Sequence, residues 1–183
     1  MELLVVVALL AIIGGMAVAD LSGLMGRYRM NAAAREFQDQ VGLSRVRAIS
    51  ENQEYAITLV TSDPTPLDGE DRLNWGRYEV KVGDGNRGSS AWVTVPDGVF
   101  DLKHGPGRHQ GVSIEPWVPL GGPPAYNLPD SIVFSPRGYI INDPSDFSDG
   151  VIRVVFRNKA AAATEARVVR VDMSGGALIA GVH

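Results

Sequence analysis

The stretch Asn142-Asp143-Pro144-Ser145-Asp146-Phe147-Ser148-Asp149-Gly150 places three carboxylates, Asp143, Asp146 and Asp149, in one short loop. Carboxylates at that density are ligands for a hard cation such as calcium, although their spacing departs from the alternate-residue pattern of calcium loops. An ordinary Asx-type turn uses the same residues. Both readings stay open, and no other cofactor is expected. His104 and His109 stand five residues apart in HGPGRH, a spacing that matches no zinc signature, and there is no cysteine to join them. No Gly-x-Ser-x-Gly elbow occurs, so nothing in the sequence supports nucleophilic catalysis. The expectation is a non-enzymatic protein without a small-molecule substrate.

Glu2 is an ionisable residue of a different kind. It stands immediately before an apolar run from Leu3 to Ala19 that Asp20 closes. An acid at the edge of hydrocarbon is costly unless it is paired. Glu2 therefore reads either as the partner of a cation in an assembly or as a polar flank at the lipid interface.

Nucleic-acid binding needs clustered cations that displace counterions from phosphates. Arg45 and Arg47 fall near one another, and Arg153, Arg157, Lys159, Arg167 and Arg170 fall in late segments, but the formal net charge is −4 and Ser174 to His183 holds no Lys or Arg. Alternating arginines read more simply as a solvated sheet face, and DNA is not an expected partner. Of the aromatics, Trp92 between Ala91 and Val93 is expected in the core. Trp117, inside the Gly- and Pro-rich stretch Gly105 to Pro129, is the candidate for a partner contact, because an irregular segment of that length is uncommon unless functional.

The elements that must position these residues follow from periodicity. The first twenty residues have about the length of a short transmembrane helix. A secretory signal is the rival, since Ala17-Val18-Ala19 fits a cleavage site loosely, but no basic residue precedes the run. From Leu21 the pattern becomes amphipathic: Leu21, Leu24, Met25, Tyr28, Ala32, Ala34, Phe37 and Val41 recur at helical steps. No proline interrupts Met1 to Asp63, so one helix is expected to about Glu51, ended by Asn52. The period then becomes two. Strands are expected over 54–60, 77–82, 91–95, 99–102, 112–114, 131–134, 138–141, 151–157, 166–173 and 177–180. Asp-Gly, Pro-Arg-Gly and Ser-Gly-Gly turns between them point to antiparallel pairing. The expected fold is α+β: a transmembrane part over 1–20, an amphipathic continuation over 21–52, and an antiparallel β-sandwich-like domain over 53–183.

ELLVVVALLAIIGGMA resembles the amino-terminal helix of type IV pilins and pseudopilins. SRVRAISENQEYAITLV resembles the helix end and first strand of the GspH/FimT family of minor pseudopilins and minor pilins, and SIVFSPRGYI with ARVVRVDMSGGAL resembles that family's paired carboxy-terminal strands. The resemblance touches both ends of the chain. It implies a subunit at or near the tip of a type II secretion pseudopilus or a type IV pilus, with other pilin or pseudopilin subunits and inner-membrane lipid as partners. It further implies an anchor in the bacterial inner membrane, a periplasmic β-domain, and a role for Glu2 in meeting the charged amino terminus of a neighbouring subunit. Leaders of that superfamily end in a glycine a few residues before the glutamate. Here Met1 directly precedes Glu2, so the expected start lies upstream. Alternatives are a DNA-binding minor pilin for uptake and a membrane-tethered periplasmic enzyme or carrier.

Overall fold

A computed structural model describes residues 2–60, 76–102, 111–116, 130–143, 147, 149–158 and 166–181. One helix, α1, spans Glu2–Glu51, about 75 Å at 1.5 Å per residue. It ends where expected: Asn52 adopts φ 51°, a left-handed conformation that asparagine tolerates.

Among the described residues eight strands follow: β1 (Tyr55–Leu59), β2 (Arg77–Gly83), β3 (Trp92–Asp101), β4 (Val112–Pro116), β5 (Ser131–Phe134), β6 (Val151–Asn158), β7 (Arg167–Asp172) and β8 (Ala177–Gly181). They form two four-stranded sheets in the orders β3-β2-β1-β5 and β4-β6-β7-β8, and every pairing is antiparallel. The alternation legible in β2 is real. Tyr78 and Val80 face the core, while Arg77, Glu79 and Lys81 form an outward row in which Glu79 meets Arg77 at 2.6 Å and Lys81 at 3.3 Å.

Two expected strands become one. Residues 91–95 and 99–102 both pair with β2, and the ladder shifts register between them, so Pro96-Asp97-Gly98 is a bulge within β3. Asp97 takes φ 58°, and a Cβ on Gly98 would stand 2.8 Å from the Val80 carbonyl oxygen. The strand expected over 138–141 is absent. Gly138 turns the chain at φ 79°, leaving only a single bridge between Phe134 and Ile140. The Ile140 amide donates instead to the Met173 carbonyl at 3.0 Å, which ties the loop after β5 to the turn after β7. Trp92 also departs from expectation: it lies on the edge strand β3 and is half-buried.

The core lies between α1 and the two sheets. Met30, Ala33, Ala34, Phe37, Val41 and Ala48 are fully buried along one face of the helix. Phe37 is the common point, its ring edge-on to Tyr78 of the first sheet at 5.2 Å and tilted against Phe156 of the second at 5.5 Å. Tyr78 in turn stacks on Phe100 at 4.6 Å. One side chain thus holds the helix to both sheets, and aromatic pairs of this kind add about 0.5–1.5 kcal/mol beyond their buried area.

Candidate functional site

The residues singled out in the sequence do not converge. Glu2 opens α1, and its side chain lies outside the described residues, as do Trp117 and Asp146. Asp143 and Asp149 are both exposed, and the Asp149 carboxylate lies 3.5 Å from the Arg153 guanidinium. Among the described residues no three His, Cys, Asp or Glu side chains gather as a metal group. The late arginines are largely engaged within the fold: Arg157 meets Glu115 at 2.7 Å, and Arg167 donates to Asn31 Oδ1 at 2.5 Å.

What the structure does bring together is the helix and the two carboxy-terminal turns. Arg45 Nε donates to the Gly138 carbonyl at 3.0 Å, and Gln38 Nε2 donates to the Ala177 carbonyl at 2.8 Å. Gly175 takes φ 81°, and a Cβ there would lie 2.8 Å from the Gly138 oxygen and 3.1 Å from Arg45 Cδ. Glycine is required on both grounds, the left-handed backbone and the close approach. The turn at Gly175 is itself braced by Asp172, whose carboxylate accepts from Ser174 Oγ at 2.6 Å and from the Gly176 amide at 3.0 Å. These bonds hold the Asp172 carboxyl below its ordinary pKa.

The side of α1 opposite the Phe37 stripe carries apolar side chains in two places. Leu24, Met25 and Tyr28 are 59%, 54% and 64% exposed, and Leu43, Val46 and Ile49 are 41%, 60% and 50% exposed. Of the apolar residues that recur at helical steps, Leu24, Met25 and Tyr28 are exposed, and the buried apolar side chains begin at Met30. At 3.6 residues per turn all six lie on one side of the helix, about 160° from the Phe37 stripe. The outer side of the helix therefore carries two exposed apolar patches, separated by the exposed Arg35 and Asp39. Beside Leu43, Val46 and Ile49 an open groove of about 580 Å³ runs to Gly175, Gly176 and Ala177. A sequence signal for the outer face existed in the steps Leu43, Val46 and Ile49, which interleave with Val41, Ser44 and Ala48.

Farther up the helix Val6 and Val7 are each 54% exposed. Among the described residues no helix is long and apolar enough to cross a membrane. Most side chains of residues 1–20, where the span is expected, lie outside the described residues.

No family model and no curated protein sequence matches the chain. Among solved structures, the minor pseudopilin EpsH of the Vibrio cholerae type 2 secretion system is similar at a TM-score of 0.52 with 11% identity, covering 84% of this chain and 97% of that one. The type IV minor pilin FimU of Pseudomonas aeruginosa PAO1 aligns at a TM-score of 0.47 with 14% identity over 82% of this chain and 91% of that one. With an amino-terminal helix packed on two antiparallel sheets, the chain shares a pilin-like fold with that minor pseudopilin.

Proposed function

We propose that the protein is a minor pseudopilin or minor pilin, a non-enzymatic subunit that inserts into a pseudopilus or pilus at or near its tip. The observation that carries this reading is a pair of exposed apolar patches on the outer side of α1, Leu24, Met25 and Tyr28 and, beyond Arg35 and Asp39, Leu43, Val46 and Ile49. Exposed apolar clusters rimmed by polar residues mark contact with protein or lipid. The fold shared with EpsH supports the same reading.

The first part of α1 serves as the inner-membrane anchor before assembly, with the β-domain in the periplasm. A helix satisfies its own backbone hydrogen bonds, so the same apolar surface can face lipid in one state and other helices in another. Glu2 then pairs with a charged amino terminus of a neighbour, and calcium at Asp143, Asp146 and Asp149 and a contact through Trp117 remain additional proposals.

The chain has no cysteine, so Tyr28→Cys and Val46→Cys each introduce a single thiol. In cells carrying a type II secretion or type IV pilus system, both variants, labelled on the thiol with a maleimide–benzophenone reagent, are expected to photo-cross-link by C–H insertion to other pilin-like subunits. An exposed β-domain position such as Asp84→Cys serves as the comparison. Adducts absent from both helix positions, in protein shown to be folded and membrane-associated, would overturn the reading.

A further inference from the structure

We propose that a cavity at the carboxy-terminal end of α1 docks an acidic peptide segment of a partner protein. The cavity, of about 280 Å³, lies between the β2–β3 turn and the turn from Ser135 to Gly138. It goes beyond the filament reading and does not depend on it, since the outer face of α1 takes no part in it.

Both walls are fixed. The β2–β3 turn is held by Glu54, 1% exposed, whose carboxylate accepts from the Gly88 and Ser89 amides at 2.8 Å each. Asp84 Oδ1 accepts the Asn86 amide at 3.1 Å within the same turn. The opposite wall is closed by the Gly138 amide on the Ser135 carbonyl at 2.8 Å and by the Ser135 amide on the Tyr139 carbonyl at 2.9 Å. Arg45 anchors that wall to the helix through Gly138. The cavity is thus bounded by turns tied back to α1 and the sheets.

Its chemistry is cationic with an apolar ledge. Arg87 and Arg137, one on each wall, are exposed. Tyr139 and Ile141 line the same cavity at 39% and 38% exposure. The one acid among the lining residues, Glu54, is buried and already accepts two backbone amides. The two arginines are thus the outward charges of the lining, while the neighbouring Asp84 is turned onto the Asn86 amide and the Ser90 hydroxyl.

Guanidinium groups match carboxylates bidentately, and the tyrosine and isoleucine offer surface that a bare anion would leave unused. A nucleic acid is disfavoured because its affinity grows with the number of phosphates neutralised, and this cavity presents two cations. The occupant that fits is a segment carrying two or more carboxylates with an apolar side chain between them.

The test uses the full chain in non-ionic detergent and a fluorescein-labelled, end-capped peptide Glu-Leu-Asp-Glu-Leu-Asp, read by anisotropy. Saturable binding that weakens as salt rises from low to physiological ionic strength is expected. The Arg87→Gln, Arg137→Gln double variant should lose about tenfold or more in affinity with an unchanged thermal midpoint, since both side chains are exposed. Arg170→Gln, an exposed arginine on β7, should change nothing. The matching Gln-Leu-Asn peptide should not bind. Equal binding of the amide peptide, no loss in the double variant, equal loss in Arg170→Gln, or duplex DNA bound through Arg87 and Arg137 in preference to the acidic peptide would each overturn the proposal.

Discussion

Arg45 Nε, on the helix, donates to the carbonyl of Gly138 at 3.0 Å, and a Cβ on Gly175 would press against that same carbonyl at 2.8 Å. Three segments far apart in sequence therefore meet at one oxygen. Gly175→Ala combines backbone strain of about 1–2 kcal/mol with this collision, and a total loss of about 2–4 kcal/mol is expected in chemical denaturation. Gly88→Ala has a similar φ of 76° but open space around it, so it should cost only about 1 kcal/mol. Gly42→Ala, within α1 and also in open space, should gain up to about 1 kcal/mol. That order is the test, and a Gly175→Ala loss no larger than that of Gly88→Ala would remove the close approach from the account. Arg45→Ala should lose about 1–2 kcal/mol.

The core contains two hydroxyls that its packing does not use. Tyr78 is fully buried, and its hydroxyl, like that of Ser44, meets no hydrogen-bond partner among the described residues. Burial, then the charges of Glu36 and Asp39, push the Tyr78 phenol upward and keep it protonated. An unsatisfied buried donor is costly, so removing it is expected to be neutral or favourable. Tyr78→Phe should leave stability within about 1 kcal/mol of the parent or raise it, whereas Tyr78→Ala should cost about 3–5 kcal/mol through lost volume. Ser44→Ala should gain a few tenths of a kcal/mol, about the helix-propensity difference. Thermal or denaturant unfolding of the three variants decides this.

Acid should weaken the fold through two carboxylates. Burial would raise Glu79, but hydrogen bonds and charge from Lys81 and Arg77 outweigh it and hold its carboxyl below the usual 4.5. The Ser174 hydrogen bond, with the Gly176 amide, holds Asp172 below the usual 3.8. Both folded-state values are depressed, so the stabilisation is present above the unfolded values and is lost as pH falls through the folded ones. Stability measured from about pH 6 down to about pH 2 should therefore decline. The Glu79→Gln, Asp172→Asn double variant should show a flatter acid limb, and an unchanged slope would remove these two groups from the explanation.

Much of this architecture was legible in the chain. The helix stop at Asn52 and the alternation of β2 follow from residue type and period alone. Other features depend on contacts that no local pattern encodes. The helical repeat shows that Leu24, Met25 and Tyr28 are apolar, but not that they stay exposed while Met30 is fully buried. The strand pattern of 138–141 is cut short by the turn at Gly138, so that only the backbones of Tyr139 and Ile141 bond to Ser135 and Val133, around the Phe134–Ile140 bridge. Arg87 and Arg137 look unrelated in sequence, and only the fold places them on one cavity.

Glu2 begins the helix, and its substitution separates anchoring from assembly. Removing an acid from the edge of an apolar span favours lipid. Glu2→Ala should leave membrane fractionation unchanged and lower the amount of subunit recovered in sheared filaments. Equal recovery would reduce Glu2 to an interfacial flank.

The outer face of α1 gives the sharpest separation between folding and assembly. Tyr28 and Val46 are 64% and 60% exposed, so a charged side chain at either position keeps its solvation in the isolated protein, and stability should change by no more than about 0.5 kcal/mol. In an assembly that covers this face the same charge is desolvated without a partner, which costs several kcal/mol. Tyr28→Glu and Val46→Glu should therefore unfold at the parent's temperature yet fall well below the parent in cross-linked or filament-incorporated fraction. Val93→Glu provides the control, because Val93 is 66% exposed on the edge strand β3, away from the helix. If Val93→Glu impairs incorporation while Tyr28→Glu and Val46→Glu do not, the contact surface lies on the first sheet and the second face of the helix has another purpose.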